Sequence, residues 1–308
     1  VIDTPTGPVE VAMDEEGGAE VSFDPHAVDI DPNQDHFANL AETLEDGVLE
    51  PLGHKLVDQY TEYKESRADW EDTYRNGLEL LGFKYERRTQ PFKGASGVNH
   101  PVLAEAVTQF QAQAYKELLP SDGPVRTQIL GNVDVPKEEQ AKRVKDFMNY
   151  QIMDQMKEYE PEFDQMLFYL PLSGSTFKKV YYDDLLGRAV SKFVPADDLI
   201  VPYSANSLED AEGIIHVIKI SENELRKQQV SGFYRDIELG TPPITENQLE
   251  DKKLELEGIS KDAQEDQYTL YEIHTNLDLE GYEDVGEDGE PTGIKLPYVI
   301  TVAQANSK

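Results

Sequence analysis

Thr176-Phe-Lys-Lys-Val-Tyr-Tyr182, followed by Asp183 to Gly187 and then Arg188-Ala-Val-Ser-Lys-Phe-Val194, is the stretch on which the fold class turns. Two runs rich in β-branched and aromatic residues flank a short turn that ends on glycine, which is the pattern of a β-hairpin. Upstream of it the sequence is helical. Leu56, Tyr60, Tyr63, Trp70, Tyr74, Leu78 and Leu81 recur at steps of three, four or seven, so the spacing predicts a helix over 54–81 with Gly82 as its stop. A second helix is expected over 100–119, capped by Asn99, with Pro101 in its first turn and Pro120 at its end. It would bury Val102, Leu103, Val107, Phe110 and Leu118. Val125 to Leu130 alternates like a strand. A long helix after Pro136 is expected to reach Tyr159 with Val144, Phe147, Met148, Ile152 and Met156 on one side, and Pro161 opens a shorter one to about Leu170.

Downstream of the hairpin, short strands are expected at Leu199–Val201 and Gly213–Ile220. Ser221 with Glu224 three residues on forms a capping box for a helix ending near Val230. Residues 246–265 read as a charged, exposed helix. Tyr268–Leu279 and Leu296–Val302 read as a second hairpin joined by the acidic Glu280–Gly293 loop. Long helices followed by antiparallel strand pairs and hairpins indicate an α+β fold.

Charge divides the 308 residues further. The chain has 28 Lys and Arg against 61 Asp and Glu, a formal net charge of −33. Residues 1–50 hold 14 acids and no Lys or Arg, and residues 245–290 hold 16 acids and three Lys, so most of the excess lies in two segments. The first is punctuated by proline and glycine and shows no sustained period. It reads as an acidic, extended or partly disordered arm over 1–52, ahead of an α+β body over 53–245 and a charged helix plus hairpin over 246–308. So acidic a chain would repel duplex nucleic acid, because non-specific affinity comes from cations that displace condensed counterions. With no cysteine there is no disulfide framework, thiolate metal site or thiol nucleophile. No run of eighteen apolar residues and no basic-then-apolar leader is present, so neither a membrane helix nor a secretory leader is expected.

Reactive constellations are missing from the sequence. Neither glycine-rich phosphate-binding pattern occurs. Gly94-Ala-Ser96-Gly97 places its second glycine one residue too early for a nucleophile elbow and reads as a tight turn. The six histidines are scattered, and His216 within Ile214–Ile218 reads as a hydrogen-bonded core or sheet residue. Asp29, Asp31, Asn33 and Asp35 have the opening cadence of a calcium loop, but Gln34 and Leu40 stand where its glycine and glutamate belong. No catalytic, cofactor-binding or metal residues are assigned. The densest basic cluster, Lys84, Arg87, Arg88 and Lys93, is the candidate subunit-interface element, where it would pair with acidic surface on an adjacent subunit.

Four stretches carry a resemblance. They are Pro91-Phe-Lys-Gly-Ala-Ser-Gly-Val-Asn-His-Pro-Val-Leu-Ala-Glu-Ala-Val-Thr-Gln-Phe-Gln-Ala-Gln-Ala-Tyr-Lys-Glu-Leu-Leu-Pro120, Val144-Lys-Asp-Phe-Met-Asn-Tyr-Gln-Ile152, Leu170-Pro-Leu-Ser-Gly-Ser-Thr-Phe-Lys-Lys-Val-Tyr-Tyr-Asp183 and Ala196-Asp-Asp-Leu-Ile-Val-Pro-Tyr203. Together and in order, over about 54–302, they resemble the portal proteins of tailed double-stranded DNA bacteriophages, the short-tailed type in particular. The resemblance implies a portal-wing-like fold and a structural rather than enzymatic role. The expected assembly is a homo-oligomer, a dodecameric ring at one capsid vertex of the virion, put together in the host cytoplasm. Its expected partners are the major capsid protein, terminase, and tail or adaptor proteins, with double-stranded DNA passing through the channel without sequence-specific binding during packaging and ejection. No cofactor and no membrane are expected. The 246–308 segment would lead towards the stem, which the resemblance places beyond Lys308, making this an N-terminal portion. Two other readings of the residues are a metal-dependent nuclease and a monomeric acidic adaptor or DNA-mimicking binding protein.

Overall fold

The computed structural model describes residues 2–4, 7–13, 19–22, 39–81, 92–97, 100–183, 186–242, 248–257, 267–286 and 290–305. Strands β1 (Ile2–Thr4), β2 (Gly7–Met13) and β3 (Ala19–Ser22) come first, then helices α1 (Asp46–Ser66), α2 (Ala68–Leu81), α3 (Val102–Leu118), α4 (Val135–Tyr150) and α5 (Tyr159–Ser173). The hairpin follows as β4 (Phe177–Asp183) and β5 (Arg188–Val194), with β6 (Leu199–Ile200) and β7 (Gly213–Ser221) after it. Helices α6 (Glu222–Val230) and α7 (Gln248–Glu257) and strands β8 (Gln267–Leu277) and β9 (Leu296–Ala303) complete the order. The fold is α+β, as the sequence indicates.

The four-stranded antiparallel sheet β6-β7-β8-β9 organises the body. Its register aligns Ile215 with Ile273 and Ile273 with Ile300, and Val217 with Tyr271 and Tyr271 with Val302. Side chains alternate across a pleat, so these residues share one face. That face is buried against Leu56 and Tyr63 of α1, with the Tyr60 ring stacked 4.0 Å from that of Tyr271. Gly213 lets the helix approach this closely, since a Cβ there would come within 3.1 Å of Gln59 Nε2. The opposite face buries Ile220, Tyr268, Leu270 and Ala303 against Leu225 of α6. Ser221 caps α6 by accepting from the Glu224 amide, as its capping box predicts.

Several elements depart from the sequence reading. The helix expected over 54–81 is two, α1 and α2, broken at Arg67. The apolar stripe runs through the break unchanged, so periodicity alone cannot register it. Val125–Leu130 pairs with no strand among the described residues. Its backbone is taken up by α4 instead: the Val125 N–H donates to Asn149 Oδ1 (2.9 Å) and Asn149 Nδ2 donates to the Val125 carbonyl (3.2 Å). Gly123 makes room for that bond, because at φ +86° a Cβ would sit 2.4 Å from Asn149 Cγ. Pro101 takes the cap position of α3, while Gly82 and Asn99 lie outside the described residues.

The helix expected to reach Tyr159 ends at Tyr150, passes through a π-helical turn at Gln151–Gln155, and restarts as α5. Helix α7 is not merely exposed: Leu249, Lys252 and Leu254 are buried, with Leu249 packing on Tyr74 and Leu78 of α2. Within the acidic N-terminal segment, β1, β2 and β3 form an antiparallel meander with Ile2 opposite Val9 and Val11 opposite Val21. The alternation of Val9, Val11 and Met13 with Glu10 and Ala12 is the signal for it in the sequence.

Candidate subunit interface

The described residues contain no cluster of three or more His, Asp or Glu placed to hold a metal ion, and no described helix is long and apolar enough to cross a membrane. Their polar side chains instead form ion networks that lock elements together. Arg67 anchors the first. Buried at the α1–α2 junction, it donates from Nη1 to the carbonyls of Ala196 (2.9 Å) and Leu199 (3.0 Å), from Nη2 to that of Asp197 (2.6 Å), and from Nε to Glu71 (3.0 Å). Its guanidinium also lies 5.2 Å from the Trp70 ring. The turn it grips presents Asp197, which takes Lys253 of α7 at 2.5 and 2.7 Å, while Lys219 of β7 pairs with Glu250. Burial, with repulsion from Asp197, pushes the Asp198 carboxyl up to about 6. This turn lies in one of the four resembling stretches, Ala196–Tyr203.

A second network ties the β4-β5 hairpin to the main sheet. Lys179 of β4 pairs with Glu272 of β8, and His274 Nε2 lies 3.1 Å from the same carboxylate. Burial opposes ionisation of Glu272, but hydrogen bonds from His274 and Lys179 bring it down to about 2. His216, opposite Glu272 in the ladder, is a sheet residue as expected, but its Nδ1 has no hydrogen-bond partner among the described residues. Burial, reinforced by Lys179, holds its imidazole down at about 4.

These two shifts act on stability in opposite directions. His216 ordinarily takes its proton near 6.5, so between there and 4 the unfolded chain binds it more readily and stability falls as pH falls. Asp198 takes its proton at about 6 when folded and 3.8 when unfolded, so over that window stability rises as pH falls. At about 1.4 kcal/mol per unit the effects are nearly equal. The expected result is a nearly flat parent profile from pH 6.5 to 4.5. Across the same window His216→Gln gains, and Asp198→Asn loses, about 2–3 kcal/mol. Urea denaturation at pH 6.5, 5.5 and 4.5 reads both slopes, and parallel slopes in parent and variants would refute the assignment.

The surface left open is on α4. Asp134 caps this helix by accepting from the Lys137 amide at 2.9 Å, and Asn149 and Ala141 hold it to the 125–127 segment. None of its sixteen residues is buried. Val144, Phe147 and Met148, spaced three and four apart, form one stripe, and Phe147 is 57% exposed. Leu130, at 86%, and Val133 are exposed just ahead of the helix, as is Val135 at its first position. Val102, Phe110 and Leu118 of α3 are exposed too, so that helix buries only Val107 fully. The sequence assigns both helices to a core, whereas most of these side chains face solvent in the single chain. The period shows which side is apolar, and no described element covers it.

Of the basic cluster predicted as an interface, Lys84, Arg87 and Arg88 lie outside the described residues, as does the Asp29–Asp35 cadence. Lys93 is exposed beside Phe92, in a turn where Gly94 adopts φ +90°. Ser96 sits in the same segment, directly after buried Ala95. Arg67 escaped sequence reading because a lone arginine in a helical stripe carries no signal of burial. No protein-family model matches the chain, and no curated protein matches it significantly.

Proposed function

We propose that the chain is a portal subunit of a tailed double-stranded DNA bacteriophage, assembling into a ring that serves as DNA conduit and docking platform. The family assignment rests on the four ordered stretches. The observation that carries the assembled state is α4, a helix with no buried side chain and an apolar stripe in solvent. Apolar side chains left uncovered together on one helix face mark association sites. The resembling stretches supply α3, part of α4, the α5–β4 connection and the turn gripped by Arg67. They therefore hold both the open surface and the turn that Arg67 grips.

The charge suits a conduit that must release its cargo. At −33 per subunit, acid facing a duplex opposes phosphate adhesion, screened over roughly 8 Å at physiological salt. The same charge repels neighbouring subunits, so assembly needs local attraction from apolar area and paired cations. The Lys84, Arg87, Arg88 and Lys93 cluster is a second source of such attraction.

Negative-stain images and native mass of purified full-length protein test the reading. The expected particle is a closed annulus with a central hole, and Phe147→Glu is expected to reduce the annular fraction at least tenfold while leaving the circular dichroism spectrum unchanged. A monodisperse monomer at every salt and protein concentration would overturn the ring and favour the acidic adaptor. Magnesium-dependent cleavage of plasmid would favour the nuclease.

A further inference from the structure

We propose that the open faces of α3 and α4 are the two halves of one contact, the α3 face of each copy seating on the α4 stripe of the next, with Glu117 beside Arg143. The inference rests on the ring reading and names a contact within it. Helix α3 is held on one side. There Gln111 Nε2 donates to Asp164 of α5 at 2.8 Å, and Ala114 and Tyr115 pack on the cluster of Leu119, Phe163 and Leu167. Val102, Ala106, Phe110, Gln113 and Glu117, spaced four, four, three and four, form a row on another side, and all five are exposed. Helix α4 is built the same way. Asn149 turns one side of it to the 125–127 segment, and Val144, Phe147 and Met148 line another.

The two faces are complementary in charge as well as both apolar. Glu117 is the one charged member of the α3 row, because Glu105 and Lys116 fall outside it. Arg143 borders the α4 stripe one turn before Phe147, while Lys137, on the stripe side, pairs with Asp134. No ion pair among the described residues uses Glu117 or Arg143. With the helices antiparallel and Phe110 seated at Val144 and Phe147, Gln113 lies opposite Val144, and Glu117 and Arg143 are about 6 Å apart along the axis. Helical side chains tilt towards their own N-terminus, so in this arrangement the two charges lean towards each other. The contact joins two different surfaces. Each copy therefore keeps one face to give and one to receive, and the series closes as a ring. Pairing α4 with α4 would stop at two copies and leave the α3 face open.

The chain has no cysteine, so introduced thiols report on single positions. Full-length Gln113→Cys and Val144→Cys chains, mixed, assembled and treated with a short bis-maleimide, test the contact, since any product must join two copies. The expected product links 113 of one variant to 144 of the other, in at least tenfold excess over dimers from either variant alone. A chain carrying both cysteines should give a covalent ladder that extends past the dimer. Glu117→Arg in the Gln113→Cys chain should cut the mixed yield at least threefold, and Arg143→Glu in the Val144→Cys chain should restore at least half of it. Abundant dimers from Val144→Cys alone, or a ladder that stops at two, would show α4 paired with itself and overturn the proposal. So would a yield that Glu117→Arg leaves undiminished. Rings that form without the 113–144 product overturn this contact and leave the ring standing, while a chain that stays monomeric overturns both.

Discussion

Replacing Arg67 with Met lowers the stability of the folded chain by about 3–5 kcal/mol, the cost of breaking a buried, hydrogen-bonded charge cluster by deleting one member. The side chain is 7% exposed and donates to three backbone carbonyls, those of Ala196, Asp197 and Leu199. Methionine fills a similar volume but donates nothing, so each carbonyl loses its partner at about 1–3 kcal/mol apiece where water cannot replace it. Arg67→Lys recovers only part of the loss. A single ammonium cannot reproduce the planar fork that spans the turn on one side and Glu71 on the other. Glu71→Gln removes the charge but keeps an oxygen that can accept from Nε, and should cost no more than about 1 kcal/mol. Urea unfolding in the Phe147→Glu background reads chain stability rather than ring dissociation. A loss below 1 kcal/mol for Arg67→Met would mean that the turn is held by something else.

Leu56→Ala is the second large effect, expected at about 3–4 kcal/mol, within the 2–5 kcal/mol range for deleting a buried leucine. Leu56 is 1% exposed and belongs to the cluster of Tyr63, Ile200, Ile215, Tyr271, Ile273 and Val302, between α1 and the central sheet. Four paired strands on one side and a 21-residue helix on the other resist collapse into the cavity. Alanine is the best helix former, so the substitution reports packing and not helix propensity. Leu80→Ala supplies the contrast. At 69% exposure its methyls bury little, and its effect should stay within about 0.5 kcal/mol. If both variants lost equal stability, the α1–sheet contact would not be the centre of the fold.

Local chemistry in the chain accounts for much of this architecture. The β4-β5 hairpin, the β8-β9 pair, the Ser221 capping box and the helical stripe from Leu56 to Leu78 follow from patterns a few residues long, and the structure realises each of them. His216 was legible as a sheet residue but not as one lacking a partner for Nδ1 among the described residues, because the groups around it, Lys179 of β4 and Glu272 and His274 of β8, are brought there by tertiary placement. The predicted basic interface and the open α4 surface differ in the same way. Residues 84–93 stand out by composition, whereas α4 stands out only because no described element covers it.

Periodicity and charge partition, readable residue by residue, set the helices, the hairpins, the α+β class and the acid-rich segments of this protein. Where those pieces meet was decided in three dimensions. The break at Arg67 exists because a guanidinium reaches carbonyls 129 to 132 positions away, and α7 is buried because α2 presents Tyr74 and Leu78 to it. The stripe on α4 stays open because no described element packs over it. An amphipathic pattern specifies which side of an element is apolar, but burial requires a second surface, and the position of that surface depends on the whole chain and, in the proposed ring, on the next one.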